Sequence, residues 1–201
     1  MIEEAGKRLA ILISGRGSNM AALVRAAQVP DFPGRVVLVL SNNPDAEGLA
    51  FAAANGIATH SIDHRNYRGD RAAFDTAVDA ALSAAHTDLV CLAGFMRILS
   101  ASFVEKWRGR MINIHPSLLP AYPGLDTHAR ALAAGEHHHG CTVHFVTEGV
   151  DAGPIIAQTQ IDILPTDTPT SLAARVLSEE HKLYPAALRQ VLEGKAKFTP
   201  A

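Results

Sequence analysis

A chain of 201 residues, 48% of them hydrophobic, has the length for one domain and enough apolar side chains for a sizeable core. Its 18 Lys and Arg against 20 Asp and Glu leave a formal charge of −2, without the basic excess of nucleic-acid binders, so a small-molecule ligand is the expected partner. The apolar stretches are interrupted too early to cross a bilayer. The opening MIEEAGKRLAILIS ends at Ser14-Gly15, too soon for a secretory leader, and Cys91 and Cys141 sit in strand-like runs as reduced thiols, so a cytoplasmic protein is expected.

In chain order, RLAILIS (8–14) predicts a strand, followed by a glycine turn at 15–17 and a helix over 19–27. RVVLVLSN (35–42) is the next strand, and a helix over 46–55 ends at Gly56, well placed as a left-handed cap. A short strand at 59–62 and an alanine-rich helix at 68–85 precede DLVCLAG (88–94). A helix at 100–107, a strand at 111–115 and a helix at 127–134 follow. Strands that are continuously apolar and alternate with helices predict a mostly parallel, twisted α/β sheet covered by helices on both faces. GCTVHFV (140–146) and PIIAQTQIDIL (154–164), separated by the turn-rich TEGVDAG, predict antiparallel strands at the C-terminal end before a closing helix at 170–193.

Ligands in such sheets bind beyond the carboxyl ends of the strands. SGRGSNM (14–20) lies at such an end. Gly15 and Gly17 permit a tight turn, and the amides of Gly17, Ser18 and Asn19 can point from the positive helix end at an anion. The motif lacks the third glycine of the dinucleotide fingerprint and the lysine of a Walker loop, so a plain turn with a Ser or Asn cap is the other reading. In MINIHPSLLPAYPG (111–124) the two-residue period puts Asn113 and His115 on one face of an apolar strand. Downstream, EGVDAGPII (148–156) presents Asp151 between glycines. An amide and a protonated imidazole can stabilise a developing oxyanion, and a carboxylate can hold the imidazole charged or take protons. A hydrogen-bonded core histidine beside an acidic turn is the alternative. The run EHHHG (136–140) reads as a solvated turn, since consecutive histidines diverge, and no metal is expected.

Together ISGRGSN, AGFMRILS (93–100), INIHPSLLPAYPG, GCTVHFV and GVDAGPII stand in the order and spacing of the folate-dependent phosphoribosylglycinamide formyltransferases, and the resemblance covers essentially the whole chain. It implies a one-carbon transferase of de novo purine (IMP) biosynthesis with a Rossmann-like front half, moving a formyl group from 10-formyltetrahydrofolate, its co-substrate, to the amine of glycinamide ribonucleotide. On matching positions it implies Asn113, His115 and Asp151 as the catalytic cluster. Gly17, Ser18 and Asn19 would hold the substrate phosphate, and Glu180 its glycinamide part. Arg97, Ile98 and Leu99, with Val146, Thr147, Glu148, Gly149 and Val150, would line the folate pocket. It also implies a single formyltransferase domain over 1–201, with a phosphate-binding half to about residue 105, acting as a monomer or homodimer. Leu119-Pro120 is a candidate cis bond. Leu177 departs from members that carry lysine there. Methionyl-tRNA formyltransferase and formyltetrahydrofolate deformylase share the core but carry further domains, so the length is expected to exclude them. A nucleotide-binding module without chemistry is the non-enzyme alternative, against which the three retained polar residues speak.

Overall fold

A computed structural model of the chain describes residues 6–199. They form two compact units, one up to Ile112 and one from Asn113. In the first unit, strand β1 (Lys7–Ile13) leads into α1 (Ser18–Ala27), then β2 (Gly34–Ser41), α2 (Glu47–Ala54) and β3 (Thr59–Ser61). A 3-10 turn at His64–Tyr67 precedes α3 (Arg71–Ala84), β4 (Leu89–Leu92) and α4 (Ala101–Lys106). Strand β5 (Met111–His115) carries the chain into the second unit, which continues with α5 (Thr127–Ala133), β6 (His138–Phe145), β7 (Ile155–Asp162) and α6 (Pro169–Leu192). The sheet order is β3-β2-β1-β4-β5-β6-β7. The β1–β2, β1–β4 and β2–β3 pairs are parallel and β6–β7 is antiparallel, as the strand pattern predicts.

Residues Leu9 to Ile13 of β1 are 0–1% exposed without alternation, the signature of a strand with helices on both faces. At the first unit's edge, β3 is three exposed polar residues long, which gives it little capacity to recruit another strand. Helix α3 starts later than its alanine-rich pattern predicts. Arg68 (φ 45°) and Gly69 (φ 87°) take left-handed backbone, and Asp70 then caps the helix by accepting the Ala73 N–H. Gly56 has the predicted left-handed conformation (φ 71°), and the Leu119-Pro120 bond is cis.

In the second unit α6 opens with a capping box between Thr168 and Ser171 and Pro169 in its first turn. Its buried residues Leu172, Val176, Glu180, Tyr184 and Leu188 recur every four positions, so the acid Glu180 occupies the middle of an apolar stripe. Strand β6 begins earlier than expected, which corrects the reading of EHHHG as a turn: His138 is exposed and paired with Asp162, whereas His139 is buried. Successive strand residues face opposite ways, so the run offers no common ligand face. Both cysteines are buried thiols; burial, with the charges of Glu180 and Glu179, pushes Cys141 up to about 12 and makes it inert. Among the described residues, no helix is long and apolar enough to cross a membrane.

Candidate active site

In the first unit the chain leaves β1 through Ser14-Gly15-Arg16 and turns at Gly17, whose φ of 70° lies in the left-handed region. Helix α1 has no acidic residue in its first turn and no side chain capping it, which leaves its first-turn amides directed at whatever anion approaches. The turn is packed too tightly for a side chain. A Cβ at Gly17 would lie 3.2 Å from the Gly48 Cα on α2, and the Gly48 N–H donates to the Gly15 carbonyl at 3.1 Å. The cleft over this turn, about 340 Å³, is lined by Ser14 to Asn19 together with Ala93, Gly94 and Met96, enough room for a sugar phosphate.

In the second unit β5 delivers Asn113, half-buried, and His115, 5% exposed. The His115 Nε2–H donates to the Tyr122 carbonyl at 2.9 Å, and Nδ1 lies 3.2 Å from Asp151 Oδ2. That oxygen also accepts the Gly124 N–H at 2.9 Å. Asp151 Oδ1 is 3.6 Å from His144 Nε2, and the Asn113 amide nitrogen is 3.2 Å from the same His144 nitrogen. The structure thus brings the three predicted catalytic residues together. It adds His144, 2% exposed on β6, whose Nδ1–H donates to its neighbour's carbonyl at Phe145. The signal for His144 was present in the sequence: GCTVHFV sets an imidazole inside an apolar strand, the same anomaly that marks His115.

Surrounding hydrogen bonds hold the cluster's frame. Ser117 Oγ donates to the Ala121 carbonyl at 2.6 Å, and Thr142 Oγ1 to the Ser117 carbonyl at 2.6 Å. Gln158 Nε2 donates to the Leu119 carbonyl at 2.8 Å, and Arg130 pins the next turn by donating to the Pro123 and Leu125 carbonyls. Asp151 has φ 51°, a conformation aspartate tolerates better than most residues.

Burial pushes His115 down, and the Tyr122 carbonyl and Asp151 carboxylate only partly restore it, so its pKa lies below the ordinary 6.5. This corrects the expectation of a resting imidazolium: at neutral pH His115 is mostly neutral. Both ring nitrogens nevertheless face acceptors, so a second proton has a place to go when negative charge appears nearby. For Asp151 burial pushes upward, but the neighbouring His144, the Gly124 amide and the nearby His115 outweigh it, holding the pKa below the ordinary 3.8. The acid is therefore a carboxylate at neutral pH, competent to accept a proton.

Beside the cluster, the buried His139 Nε2 lies 3.1 Å from His128 Nδ1. Burial, with His128 close by, pushes His139 down to about 4. As pH falls below about 6.5 the unfolded chain takes up this proton while the folded one does not, so stability is full above that pH and declines toward pH 4. The loss expected from His139 is on the order of 3 kcal/mol. The lowered Asp151 contributes nothing in this window, since a depressed carboxylate loses its stabilisation only below about 3.8. Urea midpoints at pH 7 and 4.5 should drop less in His139→Gln than in the parent; equal drops would assign the acid sensitivity elsewhere.

The other expected binding residues lie in both units. Arg97, Ile98 and Leu99 follow β4 in the first, with Ile98 62% exposed and the Arg97 guanidinium 5.8 Å from the Phe74 ring centroid. In the second, Val146 and Thr147 are half-buried and Glu148, Gly149 and Val150 exposed after β6, and Glu180 is 7% exposed on α6. Leu177 lies one turn before Glu180 on the same helix, half-buried.

A formyl transferase family model matches residues 7–188. The chain belongs to the formyl transferase family. Among curated relatives of this formyltransferase, the trifunctional purine biosynthetic protein adenosine-3 of Drosophila melanogaster is 48% identical over all of this chain, which spans only 15% of that longer protein. Phosphoribosylglycinamide formyltransferase of Escherichia coli K12 is 43% identical over 94% of this chain and 89% of its own length. The crystal structure of phosphoribosylglycinamide formyltransferase from Brucella melitensis superposes with a TM-score of 0.89 at 50% identity, covering 96% of this chain and all of the other. The α/β fold with antiparallel C-terminal strands is thus the fold of that enzyme.

Proposed function

We propose that this formyltransferase moves the formyl group of 10-formyltetrahydrofolate to the amine of glycinamide ribonucleotide, a step of de novo purine synthesis. The observation that carries the reading is the Asn113–His115–Asp151 cluster, closed by His144, in a chain 43% identical to the Escherichia coli phosphoribosylglycinamide formyltransferase over 89% of that protein's length. In the reaction the amine nitrogen bonds to the formyl carbon, the carbonyl electron pair moves to oxygen, and the nitrogen becomes cationic. Asn113 can keep one N–H on His144 and turn the other to the oxyanion, while the imidazolium form of His115, which takes its second proton from water as the negative charge develops, supplies a second donor. Asp151 accepts the proton released by the amine, directly or through a water, and returns it to the folate nitrogen as the carbon–nitrogen bond breaks and the oxyanion collapses to a carbonyl. The proton count closes without a metal or redox group.

Gly17, Ser18 and Asn19 are assigned to the ribonucleotide phosphate, supported by the uncapped helix start and the fitted glycine turn. Glu180, an acid in the middle of the buried stripe of α6, is assigned to the glycinamide part on the family resemblance. The folate contacts are assigned to residues 97–99 and 146–150, where Ile98 and Val150 expose apolar surface. The two units are read as one working domain of a cytoplasmic monomer or homodimer, with small-molecule partners only. Incubating the protein with formyl donor and glycinamide ribonucleotide, and following both the deformylated folate by absorbance and the formylated product by mass, tests the activity; absence of both products would refute it.

Gly17→Val should weaken ribonucleotide binding by tenfold or more. A β-branched side chain opposes φ 70° and presses on the Gly48 backbone, a strain of roughly 1–3 kcal/mol that relaxes only by moving the phosphate turn. Unchanged affinity in calorimetry, with an intact fold, would remove the site.

A further inference from the structure

The segment between β4 and α4 is irregular: residues 95–100 carry neither helix nor strand, yet they include the three residues assigned to folate. With no ladder to shape it, the segment takes its conformation from what holds its ends. At one end the Ser14 N–H donates to the Gly94 carbonyl at 3.1 Å, and the Met96 N–H donates to Ser14 Oγ at 2.7 Å. At the other, the Ser100 N–H donates to Asp75 Oδ2 at 2.6 Å. Asp75 belongs to α3, is 3% exposed, and stands beside Phe74, whose ring stacks on Phe95 (centroids 6.4 Å apart) and lies under the Arg97 guanidinium. Between these anchors Met96 and Ile98 are 68% and 62% exposed.

A carboxylate is an expensive way to fill a buried helix position. Its Oδ1 makes no hydrogen bond among the described residues, so packing does not account for it; its visible task is the short bond to the Ser100 amide. Ser100 is also the N-cap of α4, accepting the Phe103 N–H, so the same bond sets where the irregular segment stops and the helix starts. We propose that Asp75 is a positioning residue for folate: through the Ser100 amide it holds residues 96–99 in the shape that receives the heterocycle, without touching it. The proposal rests on the assignment of residues 97–99 to folate.

Asp75→Ala should raise the Michaelis constant for formyl folate by about tenfold or more, the scale expected for losing a hydrogen bond to a charged group, and leave kcat and the ribonucleotide constant within about twofold. Asp75→Asn keeps an oxygen that accepts the Ser100 N–H and should recover most of the loss. Ser100→Pro attacks the same bond from the donor side, at a φ of −74° that proline adopts, and keeps the test decisive should Asp75→Ala not fold. Both losses should be accompanied by faster exchange of the amides in 96–99. The proposal is overturned by a folded Asp75→Ala or Ser100→Pro with normal folate constant, by an Asn variant as impaired as Ala, or by equal loss for both substrates. Leu99→Asp, inside the segment, separates the underlying assignment: a normal folate constant there removes folate from 97–99 and the proposal with it, whereas a raised one beside a normal Asp75→Ala defeats the positioning role alone.

Discussion

Asp151→Asn is expected to lower turnover by about two to four powers of ten, the range for a positioned acid or base, while both Michaelis constants stay within severalfold. The substitution keeps shape and removes the only carboxylate of the cluster. The Gly124 N–H retains an oxygen to bond, so the 149–153 turn has no reason to move. What disappears is the proposed acceptor for the proton of the attacking amine, together with the charge 3.2 Å from His115 Nδ1. That charge raises the His115 pKa against the larger downward push of burial, so the imidazole should titrate lower still in the variant. NMR titration of His115 beside steady-state rates reads both consequences. Near-normal turnover would end the catalytic assignment; lost turnover with an unmoved His115 titration would keep the proton role and discard the electrostatic one.

Gly153→Ala should be nearly as damaging, for a mechanical reason. A Cβ there would sit 1.8 Å from the Phe145 carbonyl oxygen, a distance no side-chain rotation relieves because the backbone fixes the Cβ and its partner is itself backbone. The strands must part where the Phe145 N–H donates to the Pro154 carbonyl at 2.9 Å, and Asp151, two residues away in a left-handed conformation, is carried with them. Displacing a reacting group by about 1 Å costs on the order of a hundredfold in rate, and the strained backbone should cost a few kcal/mol of stability. Turnover below about 5 °C under the variant's unfolding midpoint, compared with the parent, separates the two effects. A variant folded at the assay temperature with turnover within about twofold of the parent would show that the loop is not held by this contact.

Most of what was legible in the sequence is local. Continuous apolar runs at 8–14 and 88–94 mark strands covered on both faces, because burial of consecutive residues requires apolar side chains at every position. The two-residue period of 111–115 sets Asn113 and His115 on one face whatever the rest of the chain does, and glycine at 17 and 56 announces backbone that other residues resist. The carboxylate of Asp151 was visible as an acid in a turn. The start of α3 was not, since its alanines read as helix up to Arg68 and the left-handed pair Arg68-Gly69 shows itself only in the folded backbone.

Tertiary structure alone decided which groups meet and in what state. His144 reaches Asn113 across 31 residues of chain because β6 brings it there, and nothing in the spacing of the two motifs encodes that distance. The Tyr122 carbonyl and Gly124 amide that fix His115 and Asp151 are backbone groups, identical in every residue type, so no side-chain pattern reveals them. The same holds for charge: residue type suggested an imidazolium at 115, whereas the depth of burial, a property of everything packed around the ring, pushes the proton off. Patterns along the chain determine faces and turns because they act between near neighbours. Electrostatic state and contact depend on the surroundings in three dimensions, which only the folded chain supplies.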